Sequence, residues 1–185
     1  MKTQVWAHRG ASAYAPENTL EAFRLAAEMG ADGVELDVQL SRDGELVVAH
    51  DETIDRVSSG TGYIKDYTLA QLKKLSFNRL FPKFKDARIP TLKEVYELLK
   101  PAGLTVNVEL KTGIILYPEI EEKVLALTAS MGMEDRVIYS SFCHPSLVRL
   151  KELDSGLKTG LLYSDGWIGA ADYGRRTVGA DALHP

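Results

Sequence analysis

The stretch "GVELDVQLSRDGELVVAHDE", Gly33 to Glu52, decides how the rest of the chain is read. Val34, Leu36 and Val38 alternate with Glu35 and Asp37 in the period of a β-strand. Neighbouring segments read as strands of a buried parallel sheet, which should be apolar on both faces. Carboxylates sharing one face of such a strand are out of place for packing. His50 and Asp51 follow a short turn later. "SRDGE" is too tight to join parallel strands, which need a crossover of about a dozen residues or more. It reads as a hairpin turn that sends "ELVVAHD" back antiparallel to the extension of the same strand.

Outward from this stretch, strand-like and helix-like segments alternate. The strands are "QVWAHR", "DGVELDVQL", "TVNVELK", "RVIYSSF", "KTGLLYS" and "ADALHP". The helices are "ENTLEAFRLAAEMG", "TLKEVYELLK", "PEIEEKVLALTASMG", "PSLVRLKELD" and "IGAADYGRRTVG". Asn18 is expected to cap the first, with Glu21 completing a capping box and Gly30 stopping it. Leu20, Phe23 and Ala27 fall on its packing face. Thr91 caps the second, and Pro118 and early acids open the third. Repeated strand–helix order implies an α/β fold with parallel strands, either an open sheet or a barrel. A full eight-unit barrel needs about 250 residues, so the expectation is that two C-terminal strand–helix units are missing from this sequence.

Residues 51–90 break the rhythm, with only "TLAQLKKL" helix-like. The segment carries Tyr63, Tyr67, Phe77, Phe81 and Phe84. It reads as a functional lid or as a small satellite core of aromatics.

Composition narrows the function classes. The chain has 185 residues, 45% of them hydrophobic, enough for one domain with a substantial core. A net charge of −4 argues against a nucleic-acid partner. Cys143 is the sole cysteine, which excludes an intramolecular disulfide and fits a reducing cytoplasm. No run is long enough to span a bilayer and no cleavable leader is visible, so a cytoplasmic protein without stable membrane insertion is expected.

The chemistry lies in polar residues on strand faces. Glu35 and Asp37 share one face, and Asn107, Glu109 and Lys111 share one in "TVNVELK". His8 and Arg9 end the first strand. All lie near carboxyl ends of strands, where ligands bind in parallel α/β folds. A salt-bridge network alone would suit any one of them. Three crowded carboxylates repel too strongly for two cations to offset without near-ideal geometry. A divalent cation resolves this more directly, and oxygen-only ligands favour Mg²⁺ or Ca²⁺ over zinc. The cationic surround would suit an anionic substrate such as a phosphate ester, with His8 and His50 to supply a base and an acid. His144 reads as structural; His184 ends the sixth strand, where a side chain either lines the mouth or packs beside it.

These residues also carry a resemblance. "AHRGASAYAPENTLEAF", "GADGVELDVQLSRDGELVVAHDETIDRVSSGTG" and "NVELK" resemble the signature of the glycerophosphodiester phosphodiesterases, over the whole chain and in that family's order. The resemblance implies a TIM (β/α)8 barrel, here a single partial domain over 1–185, with an inserted subdomain at 51–90 after the second strand. It implies that Glu35, Asp37 and Glu109 hold the cation and that His8 and His50 are the acid–base pair. Arg9 and Lys111 match the family's phosphate-facing cations, and Glu17 matches a further active-site position. The implied reaction is hydrolysis of a small glycerophosphodiester to glycerol 3-phosphate and an alcohol. The competing readings are a phospholipase D-like hydrolase of lysophospholipids or sphingomyelin, and a non-catalytic module that binds phosphate esters.

Overall fold

The computed structural model describes residues 3–185. Its strands are β1 (Trp6–His8), β2 (Gly33–Leu40), β3 (Leu46–Val48), β4 (Thr105–Leu110), β5 (Val137–Ser141), β6 (Thr159–Leu162) and β7 (Ala182–His184). They form one sheet in the order β1-β2-β4-β5-β6-β7, every pair on that path parallel. Neighbours therefore follow chain order, without the reversal that marks a doubly wound sheet. The result is an arc of a singly wound α/β sheet.

β3 stands off this path and pairs antiparallel with the far end of β2. Val38 pairs with Leu110 of β4 and with Val48 of β3, so β4 and β3 flank β2 on opposite edges. β1 pairs with Gly33 to Glu35 and β3 with Val38 to Leu40. One edge of β2 is thus shared by two short strands, with a break beside Leu36 and Asp37. The "SRDGE" hairpin expected from sequence is what closes the upper half.

The outward faces make the core. Val34, Leu36 and Val38 of β2 and Val106, Val108 and Leu110 of β4 are buried against helices. α1 (Leu20–Glu28) contributes Ala22, Phe23 and Ala26 as its buried stripe, with Leu20 and Ala27 only at its margins. Its cap is Thr19, whose hydroxyl accepts from the Ala22 amide, and not Asn18 as the capping pattern suggested. That shift removes the expected capping box, because Glu21 is then one position too early. The reason lies in Asn18 itself: its backbone is left-handed, φ 56°, and its amide is committed elsewhere. α3 (Leu92–Ala102) has the full capping box, with Thr91 accepting from the Glu94 amide and Glu94 accepting from Thr91. α4 (Ile120–Ser130) starts two places after Pro118, with Glu121 and Glu122 in its first turn. α5 (His144–Leu153) follows β5. The expected last helix is a short turn, α6 (Ala170–Asp172), widening into a π turn over Tyr173–Val178.

Between β3 and α3 the chain is mostly irregular, with a 3₁₀ turn at Ile64–Asp66 and one short helix, α2 (Leu69–Leu72). A second core lies beneath it, formed by Val47, Ala49, Ile54, Ile64, Leu72, Phe77 and Ile89. This core is largely aliphatic: of the aromatics in the segment only Phe77 is fully inside, while Tyr63 is exposed and Phe81 packs edge-on against Phe84. Among the described residues no helix is long and apolar enough to cross a membrane.

Candidate active site

β2 and β4 are in register with Glu35 opposite Asn107 and Asp37 opposite Glu109. Alternation turns these side chains to the face away from the helices. There, one oxygen from each of Glu35, Asp37 and Glu109 lies within 4.8 Å of the others. Asp37 is wholly buried. One of its oxygens accepts from Asn18 Nδ2 at 2.8 Å, while the other, Oδ1, has no hydrogen-bond partner. Lys111 Nζ is 3.0 Å from Glu109 Oε1 and 3.8 Å from Asp37 Oδ1. Arg9 Nε is 3.6 Å from Asp37 Oδ2, and the Arg9 amide donates to Glu35 Oε2 at 3.0 Å.

Two cationic side chains do not balance this cluster. Burial, then the neighbouring Asp37 charge, pushes the Glu35 carboxyl up to about 8. Burial and Asp37 also raise Glu109. Both shifts share one cause: like charges crowded in a site shielded from water disfavour ionisation. An all-oxygen set with an orphaned, fully buried Oδ1 fits a hard divalent cation.

His8 and Arg9 reach this place because β1 ends at His8 and the chain turns sharply. Gly10 makes the turn possible, with φ +76°: a Cβ there would stand 2.7 Å from the backbone of Ala22. Arg9 also has a left-handed backbone, φ 57°, and its carbonyl accepts from the Asn18 amide at 3.0 Å. Such backbone conformations in non-glycine residues are costly and cluster at functional sites. His8 lies at the rim, its side chain 69% exposed, with Nε2 3.8 Å from Glu35 Oε2. Partial burial of the ring, then Arg9, lowers its pKa.

His50 arrives on the other side of the break in β2's edge. The Ala49 amide donates to the Asp37 carbonyl at 3.0 Å, extending the hairpin past β3. His50 Nδ1 is 2.6 Å from Asp51 Oδ1. Arg56 binds Asp51 through Nε at 2.7 Å and Nη2 at 3.2 Å. Burial works against ionisation of Asp51, but Arg56 and His50 outweigh it and hold the carboxyl at about 2. Arg56 also reaches Glu17, at 2.8 and 2.7 Å, and Glu17 accepts from Arg9 Nη1 at 3.1 Å. Burial raises Glu17, yet Arg56 and Arg9 together bring it below the ordinary carboxylate range.

All the residues singled out from sequence for this site therefore meet around one opening, with His8 the most exposed. Three more belong to the surroundings, and sequence reasoning did not single them out. Gln39 is fully buried; its side-chain amide nitrogen, Nε2, donates to the carbonyls of Ala49, His50 and Asp51 at 2.9, 3.3 and 2.7 Å. Tyr117 donates to Gln39 Oε1 at 2.9 Å. Arg56 is the third. Gln39 continues the alternation of Glu35 and Asp37, so its face was legible; Arg56 and Tyr117 come from irregular segments where no period applies. His144 is held by Tyr173 and the Leu162 carbonyl, both at 3.0 Å, away from the carboxylates.

The chain matches the model of the glycerophosphoryl diester phosphodiesterase family over residues 8–185. It is 51% identical to a glycerophosphodiester phosphodiesterase of Caldanaerobacter subterraneus subsp. tengcongensis, over 100% of this chain and 76% of that one. Among solved structures, an Oleispira antarctica phosphodiesterase in complex with the product sn-glycerol-3-phosphate superposes with a TM-score of 0.85 at 33% identity, covering 98% of this chain and 74% of the other. A glycerophosphodiester phosphodiesterase from Thermotoga maritima gives 0.78 at 34% identity, covering 100% and 74%. The chain thus spans about three quarters of the length of each of these relatives.

Proposed function

The chain belongs to the glycerophosphoryl diester phosphodiesterase family and is a phosphodiesterase of that class, and we propose that it hydrolyses small glycerophosphodiesters to glycerol 3-phosphate and an alcohol with the help of one divalent cation, Mg²⁺ or Ca²⁺. The observation that carries this reading is the buried carboxylate trio, with oxygens within 4.8 Å of one another and Asp37 Oδ1 unpartnered. In this reading the six parallel strands are the larger arc of a (β/α)8 barrel, and residues 51–90 are an insertion above its rim.

Glu35, Asp37 and Glu109 hold the cation. When bound, it supplies Lewis-acid polarisation of the phosphate and lowers the pKa of an attacking hydroxyl. Arg9 and Lys111 face the same opening and neutralise charge gathering on the phosphate's equatorial oxygens. An ionised Asp51 only accepts hydrogen bonds, so His50 carries its proton on Nδ1 and keeps Nε2 free as a base. His8, at the rim with Nε2 3.8 Å from Glu35 Oε2, is the other member of the acid–base pair and protonates the leaving oxygen. Glu17 fixes the Arg9 guanidinium.

Release of glycerol 3-phosphate from glycerophosphocholine tests the reading. Activity is expected to vanish in EDTA and return with Mg²⁺ or Ca²⁺. His8→Ala and His50→Ala should each lower kcat about 10²-fold or more. Turnover that survives complete chelation would remove the cation from the mechanism.

A lysophospholipid substrate is the second reading. Ile114, Leu116, Phe142, Trp167 and Ile168 are exposed on segments that leave β4, β5 and β6 at their carboxyl ends, the side of the carboxylates. Faster turnover of lysophosphatidylcholine than of glycerophosphocholine would favour it.

A further inference from the structure

Arg56 sits between the two halves of the site. It leaves the irregular segment after β3, and its side chain is 40% exposed. Its guanidinium uses two edges at once. Nε and Nη2 take the two oxygens of Asp51, at 2.7 and 3.2 Å. Nη1 and Nη2 take the two oxygens of Glu17, at 2.8 and 2.7 Å. Each carboxylate passes the connection on: Asp51 Oδ1 to His50 Nδ1 at 2.6 Å, and Glu17 Oε1 to Arg9 Nη1 at 3.1 Å. The series His50, Asp51, Arg56, Glu17, Arg9 spans the break in β2's edge, where no strand joins β1 to β3.

We propose that Arg56 is a positioning residue that sets the His50 ring and the Arg9 guanidinium in mutual register, acting through Asp51 and Glu17. This deepens the hydrolase reading and rests on it for its activity readout. Two features set the role apart from simple anchoring of the loop. The loop is already tied down by Ile54 in the second core, by the Asp55 carboxylate accepting from the Gly62 amide, and by Arg79 donating to the Asp55 carbonyl. A planar fork that grips two carboxylates cannot be replaced by the single ammonium of lysine.

The test compares Arg56→Gln and Arg56→Lys with the wild type, with His50→Ala and with the Arg56→Gln/His50→Ala double variant. In glycerophosphocholine hydrolysis, both Arg56 variants should lose about 10- to 100-fold in kcat, the range seen when supporting hydrogen bonds around a site are removed, with KM little changed. In the His50→Ala background, Arg56→Gln should lower kcat much less, because part of its effect runs through His50. Calorimetric titration with Ca²⁺ should show wild-type affinity in the variants, which establishes that they are folded and that the carboxylate trio is intact. NMR of the histidine ring nitrogens gives a readout independent of turnover. His50 should be a single Nδ1-protonated tautomer in the wild type and a mixture in Arg56→Gln. Unchanged His50 ring signals in Arg56→Gln, a fully additive double variant, or loss of Ca²⁺ binding in both Arg56 variants would each overturn the proposal. A wild type that shows the ring effect but no turnover would refute the hydrolase reading while supporting the positioning role.

Discussion

Replacing Gln39 by leucine removes the contacts that fasten the hairpin's end to β2 while keeping a side chain of similar bulk. Gln39 is fully buried and its amide serves four groups: the carbonyls of Ala49, His50 and Asp51 and the hydroxyl of Tyr117. The contacts at 2.9, 2.7 and 2.9 Å to Ala49, Asp51 and Tyr117 are well made; the one to His50 at 3.3 Å is weak. A net hydrogen bond contributes about 1 kcal/mol, and a buried group left unpaired costs about 1–3 kcal/mol. His50 and Asp51 are only half-buried and can turn to water, so the lower end applies to them. The expected loss is about 3 kcal/mol. For a chain of this size that is a fall in Tm of roughly 6–12 °C. Urea unfolding followed by circular dichroism should show a lower midpoint with an unchanged slope. Tyr117→Phe, which takes the donor from the buried Gln39 Oε1, should cost about 1–3 kcal/mol. Activity should fall as well, since the backbone that carries His50 is released. Gln39→Leu within about 0.5 kcal/mol of wild type, a change typical of unremarkable surface positions, would refute this account of how the hairpin is held.

Other outcomes follow from the carboxylates and the caps. Asp37→Asn and Glu109→Gln should each weaken Mg²⁺ or Ca²⁺ binding at least tenfold by calorimetry, about 1.4 kcal/mol or more, while raising the stability of the metal-free protein; unchanged affinity would place the cation elsewhere. Glu35 titrates at about 8 in the folded protein against an ordinary value of 4.5, so the folded state binds its proton more tightly than the unfolded state. Its contribution is fully present below 4.5 and is lost as pH rises through about 8. The Tm of metal-free protein should therefore fall across that window, less so in Glu35→Gln, and added Ca²⁺ should raise Tm more at the alkaline end than at the acid end. An equal shift by Ca²⁺ at both ends would contradict the coupling of proton and metal. Thr91→Ala should cost about 1 kcal/mol by removing the α3 capping box, read from thermal unfolding.

Alternation along "GVELDVQL" was enough to place Glu35 and Asp37 on one face, and the same period in "TVNVEL" placed Glu109 and Lys111. The turn "SRDGE" was enough to require an antiparallel return, because chain length alone forbids a parallel crossover there. The cap of α1 was misplaced by one residue, since Asn18 and Thr19 are both good caps and only the demand of Asp37 for the Asn18 amide separates them. The second core is mainly aliphatic, although its segment is rich in aromatics, because exposure in an irregular stretch follows the path of the loop and no period reports it.

The sequence by itself determined which residues share a strand face, where the chain must turn back, and that Glu35 and Asp37 project from the same side of one strand. These follow from the geometry of one strand and the short reach of a tight turn. Tertiary structure alone decided the register that sets Asp37 beside Glu109, and the break in the β2 edge where His8 and His50 enter. It also decided the partners of Arg56 and Gln39. Glu17 and Arg56 are 39 positions apart and Gln39 and Tyr117 are 78 apart. Contacts at such separations depend on how whole elements pack, and local periodicity carries no information about them.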